Sequence, residues 1–318
     1  MPFPSQSHIA VLLPCHNEAA SIAKVVAAFK TALPMASIYV YDNNSTDNTA
    51  EEALRAGAIV RHELYQGKGN VVRRMFSDIE ADIYVMADGD KTYDPTIAPE
   101  LINKLIDEHL DMVVGARVAT DTQSFRSGHR WGNRFLTGLV KYLFGYGFED
   151  ILSGYRIMSR KFVKSFPIHS RGFEIETEMS VHALQLQLPV AEVPTQYGVR
   201  PEDSQSKLRT YRDGFRILFT IIGLLTTERP RLFFGMIALL LTLLSFGLAI
   251  PIVHDYLLTG RVERFPTAFL CMGLVLLASQ VLAFGFLIHA IRRGRIEAKR
   301  LAYLAQKSSA TEAGTFFK

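Results

Sequence analysis

The chain has 318 residues, enough for one large domain or two smaller ones, and a formal charge of +4 that is unevenly spread. Residues 1–228 carry 24 Lys/Arg against 27 Asp/Glu, whereas residues 229–318 carry 11 against 4. That balance excludes a nucleic-acid-binding role for the globular part, and the basic excess flanks apolar stretches, as it does beside a membrane.

The N-terminal MPFPSQSHIAVLL lacks the basic start and long apolar core of a secretory signal. A first strand is expected over His8–Leu13, ended by Pro14, and Cys15-His16-Asn17-Glu18 leads into a helix over Ser21–Ala32. A second strand, Ser37–Asp42, runs into Asn43-Asn44-Ser45-Thr46-Asp47, with Thr46 or Asp47 as N-cap of a helix that Gly57 ends. A third strand, Ala58–His62, precedes the Gln66-Gly67-Lys68-Gly69 loop and a helix to about Glu80. The fourth strand, Asp82–Ala87, stops at Asp88-Gly89-Asp90. A helix over Thr96–His109 and a fifth strand over Asp111–Ala116 follow, with Arg117 directly after it. Strands alternating with helices of 10–15 residues predict an α/β fold of right-handed βαβ units with a mostly parallel sheet.

Ligands bind such sheets outside the carboxyl ends of the strands. Pro14–Glu18, Asp42 and Asp88 end three of those strands, so polar residues converge on one rim. Two carboxylates separated by a glycine suit a hard cation such as Mg²⁺ or Mn²⁺, which is held by one or two carboxylates plus substrate phosphates. A solvated acidic turn is the alternative reading of Asp88-Gly89-Asp90. The first strand-to-helix turn has no G-x-G-x-x-G, which disfavours a dinucleotide.

Together, Pro14-x-His16-Asn17-Glu18, Asp42 through Asp47, Asp88-Gly89-Asp90 and Asp150-x-x-Ser153-Gly154-Tyr155-Arg156 make residues 8–228 resemble the family 2 glycosyltransferases of GT-A fold. Within these the chain resembles the polyprenyl-phosphate branch, which includes dolichol-phosphate mannose synthase. The resemblance implies single-sugar transfer from a UDP- or GDP-linked donor to undecaprenyl or dolichyl phosphate. It implies nucleotide contacts from Pro14, Asn17, Glu18, Asp42, Lys68, Asp88 and Gly89. Mg²⁺ or Mn²⁺ would be held on Asp88 and Asp90. Acceptor-phosphate contacts would come from Arg117, Arg130, Arg134 and Arg200, and catalytic contributions from Asp90, Arg117 and Asp150. The processive polysaccharide synthases are a second reading, on Ser127-x-x-Arg130-Trp131, but the motif lacks their glutamine and precedes Asp150. A membrane-anchored nucleotide-binding scaffold without turnover is a third.

Apolar stripes at helical spacing over Trp131–Tyr146 and Tyr211–Leu225 read as interface helices. Leu232–Val253 and Phe265–Ile291 are two membrane spans; the first has 22 uncharged residues, about 33 Å as a helix. The expected organisation is a catalytic domain over 1–205, an interface helix over 206–228, a transmembrane hairpin over 229–295 and a tail over 296–318, with Glu297–Gln306 extending the last helix. Arg229 and Arg231 before the first span, and Arg292, Arg293 and Arg295 after the second, put both termini in the cytoplasm, with a bacterial inner membrane favoured. Cys15 and Cys271 lie in regions of opposite character, so a reducing compartment fits better than a disulfide. The membrane helices are also a surface through which a homo-oligomer can assemble.

Overall fold

The computed structural model of the chain describes residues 7–119, 138, 148–172, 174–198, 223 and 226–306. It divides into two compact units, Met1–Thr210 with Ala298–Lys318, and Tyr211–Glu297.

In the first unit the elements run β1 (Ile9–Cys15), α1 (Ile22–Ala32), β2 (Ser37–Asp42), α2 (Thr49–Arg55), β3 (Ile59–His62), α3 (Lys68–Asp78), β4 (Ile83–Met86), α4 (Ala98–Asp107), β5 (Met112–Ala119), β6 (Arg156–Ser159), α5 (Arg160–Ser165), α6 (Ile175–Leu186) and β7 (Val190–Tyr197). The strands form one seven-stranded sheet in the order β3-β2-β1-β4-β6-β5-β7. Only β6 runs against the others. The central strands β1 and β4 are buried almost throughout, as strands covered on both faces must be. Helix α1 shows why the pattern folds this way. Its buried Ile22, Val25, Val26 and Phe29 recur at helical spacing and join Val11, Leu13 and Val85 in the core. Each such side chain contributes about 1.5–3 kcal/mol.

Three local expectations change. Strand β1 does not stop at Pro14 but continues to Cys15, in register with Tyr41 and Asp42 of β2. Its ladder bonds alternate: the Leu12 carbonyl accepts from Ala87 after β4, the Cys15 carbonyl from Asn43 after β2. Pro14 therefore faces the β4 side after that pairing has ended at Met86, and its missing N–H costs no ladder bond. Strand β5 runs past Ala116 to Ala119 because β7 pairs with it along its whole length, which puts Arg117 inside the strand opposite Thr195. The N-cap position of α2 falls on Asn48, while the Asp47 carboxylate accepts from the Thr49 N–H at 3.1 Å. Gly57, with φ of +81°, follows the helix end as expected.

In the second unit, α7 (Pro230–Thr259) and the greater part of α8 (Phe265–Leu304) are long and apolar enough to cross a membrane. Apart from Pro230 at the start of α7, their buried residues are small and seven apart: Ala238 and Ser245 on α7, Cys271, Ala278 and Gly285 on α8. Without a hydrophobic drive between helices in lipid, small residues that allow close approach supply the contact. The Ser245 hydroxyl donates to the Cys271 carbonyl across the seam at 2.9 Å.

Helix α8 continues beyond the span, and its last turns belong to the first unit. There Lys299 donates to Gln185 at 2.8 Å, and the Tyr303 hydroxyl donates to Asp111 at 2.9 Å. Asp111 is buried at the foot of β5, and its other oxygen accepts from the Ser159 hydroxyl at 2.6 Å. Tyr303→Phe should cost about 1–2 kcal/mol and lower the thermal midpoint of the first unit by roughly 2–6 °C. Scanning calorimetry in detergent reads this; an unchanged midpoint would show that Asp111 does not need the Tyr303 hydroxyl.

Candidate active site

The carboxyl ends of β1, β2 and β4 meet at one rim, where two loops knit together. The Asn17 N–H donates to Ser45 Oγ at 2.9 Å, Glu18 N–H to Thr49 Oγ1 at 2.8 Å and Ala19 N–H to Asp47 at 3.2 Å, while Thr46 N–H donates to Asn17 Oδ1 at 2.8 Å. Asn17 and Asn44 adopt left-handed backbone, which asparagine tolerates better than other side chains. Asn17, expected at the nucleotide, thus uses its side-chain carbonyl within the loop pair. Asp42 ends β2, buried, with Oδ2 at 3.4 Å from His62 Nδ1; its Oδ1 is buried without a hydrogen-bond partner. An orphaned carboxylate oxygen on a ligand rim is a place for a donor group.

Asn43 was not singled out from the sequence, yet it is the hub of this side. Its amide donates to the carbonyls of Glu63 and Tyr65, both at 2.9 Å, and its oxygen accepts from Gly67 N–H at 2.7 Å. That last bond holds the Gly67-Lys68-Gly69 segment, which the sequence leaves open as a flexible loop. Here it is docked: Gly67 has φ of +129°, and Gly69 N–H donates to the Arg171 carbonyl at 3.1 Å. Lys68 begins α3, and its buried ammonium lies 2.5 Å from Asp88 Oδ1 and 2.5 Å from Glu176 Oε1. Burial alone would push its pKa down, but the two carboxylates outweigh it and hold the group protonated, well above its ordinary range. Glu176, in the first turn of α6, thus finds its partner 108 positions away in the sequence. Its Oε2 is buried without a hydrogen-bond partner.

The turn after β4 is built to be tight. The Gly89 carbonyl accepts from Ser21 Oγ at 2.7 Å, and a Cβ at position 89 would fall 2.5 Å from Cys15 Sγ. Asp90 is buried, its Oδ1 accepting from the hydroxyl and N–H of Thr92 at 2.6 and 3.1 Å. A Cβ at Gly154 would stand 2.9 Å from Asp88 Oδ2, so glycine there keeps that oxygen uncovered on this side. Among the described residues no group of three or more His, Cys, Asp or Glu could form a metal cage of protein ligands. Two hard carboxylates on one rim nevertheless fit Mg²⁺ or Mn²⁺, which commonly take one or two and complete their shell with substrate phosphates and water.

The other half of the rim belongs to β5. Strand β6 begins at Arg156, opposite Val114, so beyond that pair the turn over residues 148–154 takes its place beside β5. Ser153 Oγ donates to the Gly115 carbonyl at 2.5 Å, and Gly115 N–H to the Tyr155 carbonyl at 2.9 Å. This turn presents Asp150 to Arg117 in a fork, Nε to Oδ2 at 2.6 Å and Nη2 to Oδ1 at 2.7 Å, with the Arg117 N–H adding a third bond at 3.1 Å. Burial would raise the Asp150 pKa, but Arg117 wins and holds it below the ordinary carboxylate range. The Arg117 guanidinium also lies 5.5 Å over the Tyr197 ring, and Tyr93, whose hydroxyl accepts from Gly154 N–H at 2.8 Å, packs edge-on against Tyr197. Neither tyrosine stood out in the sequence, because an aromatic near a strand end reads as core. Arg130, Arg134 and Arg200 lie outside the described residues, as do the stripes over 131–146 and 211–225 apart from positions 138 and 223.

Two outcomes are expected from this geometry. Gly89→Ala should lower nucleotide affinity at least tenfold by calorimetric titration, and adding Cys15→Ala, which removes the clashing sulfur, should restore part of it; equal weakness in both variants would point away from the Cys15 contact. A carboxylate with a lowered folded-state pKa stabilises the fold above its unfolded value, about 3.9, and loses that contribution as pH falls through the folded value. Denaturant melts from pH 5 to pH 2 should therefore show a smaller acid loss for Asp150→Asn than for the native chain.

A glycosyltransferase of Haloferax volcanii, AglJ, is 33% identical over 306 residues, covering 92% of this chain and 99% of that relative. The dolichyl-phosphate hexose transferase of the same archaeon is 26% identical over 224 residues, covering 70% of this chain and 96% of the relative. Among solved structures, glucosyl-3-phosphoglycerate synthase from Mycobacterium tuberculosis, in complex with Mn²⁺, UDP-glucose and glycerol 3-phosphate, shares the GT-A-like fold at a TM-score of 0.56 and 23% identity, over 70% of this chain and 80% of that one. With residues 10–166 matching the profile of glycosyl transferase family 2, the chain belongs to that family and is a glycosyltransferase.

Proposed function

We propose that the chain transfers a single sugar from a UDP- or GDP-linked donor to a polyprenyl phosphate, inverting the anomeric centre. The observation that carries this reading is the Arg117–Asp150 fork on the same rim as Asp88 and Asp90, in a chain that also carries two helices able to cross a membrane. A guanidinium there suits an acceptor that bears a phosphate. The named relative that uses dolichyl phosphate supports a lipid acceptor.

Asp42, Glu18 and Asn17, with Pro14, form the wall for base and ribose, and the orphaned Asp42 oxygen accepts from a nucleoside hydroxyl or N–H. Asp88 and Asp90 would hold Mg²⁺ or Mn²⁺, which when bound offsets charge on the leaving diphosphate. Lys68 orients Asp88 and adds a positive charge beside the diphosphate. Arg117, assisted by Arg130, Arg134 and Arg200, places the acceptor phosphate. One of its oxygens bonds to the anomeric carbon as the bond to the diphosphate oxygen breaks. No strong general base is required, because a phosphate monoester with a second pKa of about 6 is largely dianionic at neutral pH. Asp150, kept ionised by Arg117, is then a poor proton acceptor; its part is to fix the fork that meets the phosphate. The basic residues outside both spans favour the cytoplasmic side of a bacterial inner membrane for residues 1–205 and 296–318.

The test is a transfer assay in detergent with undecaprenyl phosphate, Mg²⁺ or Mn²⁺ and labelled UDP- and GDP-sugars. A second arm uses 3-phosphoglycerate, the kind of soluble acceptor that the structural neighbour's name specifies. Lipid-linked product is expected only in the first arm. Asp90→Asn should lower kcat at least 100-fold, and Arg117→Lys, which cannot form the fork, should raise the acceptor KM about tenfold or more. Product only in the second arm would overturn the lipid acceptor.

A further inference from the structure

Two charged residues beside the site, one buried and one half-buried, have no part in the chemistry above. Arg156 opens β6 and is fully buried, and among the described residues it forms no ion pair; burial lowers its pKa to about 10. Glu192 sits on β7. The register puts both in one row across the sheet, since Val114 of β5 pairs with Arg156 on one side and with Glu192 on the other. Cross-strand partners share a face, so both side chains rise on the same side of β5.

Both reach the same turn. Glu192 accepts from the N–H groups of Glu149 at 2.6 Å and Asp150 at 3.0 Å. Arg156 donates through Nε to the Ser153 carbonyl at 3.0 Å and through Nη2 to the Ile151 carbonyl at 2.9 Å. We infer that Arg156 and Glu192 are positioning residues of the acceptor side, a clamp in which a carboxylate takes the N–H groups and a guanidinium takes the carbonyls of the single turn that aims Asp150 at Arg117.

The chemistry argues for this over plain packing. A short turn leaves peptide groups that neither helix nor sheet satisfies, and burying a full charge to meet them is costlier than filling the space with an apolar side chain. What two opposite charges add is direction: each fixes one pole of the peptide dipoles, so the turn can neither rotate nor slide. A displacement of about 1 Å at a positioning group is enough to cost on the order of 100-fold in rate. The Arg117 fork depends on that turn being still.

This inference rests on the proposed acceptor reading for its kinetic test, but it also has a readout that does not. In Glu192→Gln, where an amide NH₂ would confront a peptide N–H, the KM for undecaprenyl phosphate should rise about tenfold while the donor KM stays within about twofold. Arg156→Met should do the same, and Arg156→Lys, which reaches one carbonyl instead of two, should fall between. Independently, in protein with ¹⁵N-labelled arginine, the Nε–H of Arg117 bonded to Asp150 should exchange with solvent about tenfold faster in Glu192→Gln than in the native chain. Parallel changes in both KM values, or an unaltered Arg117 exchange rate, would overturn the clamp. If the native chain makes no lipid product, the acceptor reading fails, and the Arg117 exchange rate still decides the clamp. If Arg156→Met does not fold, Glu192→Gln decides alone.

Discussion

The site depends on one buried ammonium. Lys68 stands at the start of α3, Asp88 follows β4, and Glu176 lies in the first turn of α6, so three elements remote in sequence are drawn to a single positive charge. Two carboxylates that close would repel each other. The Lys68 ammonium, 2.5 Å from an oxygen of each, offsets that repulsion and ties the Asp-Gly-Asp turn to α6. The docked Gly67-Lys68-Gly69 segment, tied to Asn43 on one side and Arg171 on the other, is what delivers that ammonium. A glycine-flanked lysine that could pass for a linker is thus the keystone of the β4 half of the rim.

The β5 half of the rim repeats the logic with the signs exchanged. There a carboxylate, Asp150, is held by a cation, Arg117, and the turn beneath is braced by a second pair of charges whose partners are peptide groups. The β5 half pairs one carboxylate with one guanidinium, whereas the β4 half sets one ammonium among several carboxylates. Incoming phosphates therefore compete for guanidinium and ammonium groups that are already oriented, and little side-chain freedom remains to be lost on binding.

Much of this was legible in the sequence where the signal is local. Strands β1 to β5 and helices α1 to α4 follow from apolar periodicity and from turn residues, and Asp42, Asp88 and Asp90 could be placed on one rim because parallel strands end on the same side. Pro14 misleads as a strand stop because whether its missing N–H matters depends on which neighbour the ladder faces, a fact of pairing that no single segment contains. Arg117 reads as a loop residue because β7, which extends β5, is set by residues 190–197. The four-residue β6 has too short a pattern to stand out, and the pairing of Lys68 with Glu176 spans 108 positions. Arg156 closes the Asp150-to-Arg156 motif without a role read from it, and Glu192 carries no sequence signal; only the register that sets them in one row shows a common target.

The reversed strand β6 has a geometric consequence. It lies between β4 and β5, so the turn bearing Asp88 and Asp90 and the arginine on β5 are separated by two interstrand steps, about 10 Å. That spacing holds the carboxylates after β4 apart from the guanidinium on β5. Because β6 runs the other way, its amino-terminal end opens at this rim, and the turn over residues 148–154 enters there, Gly154 passing close to Asp88. The strand order thus fixes how far apart the two halves of the rim stand.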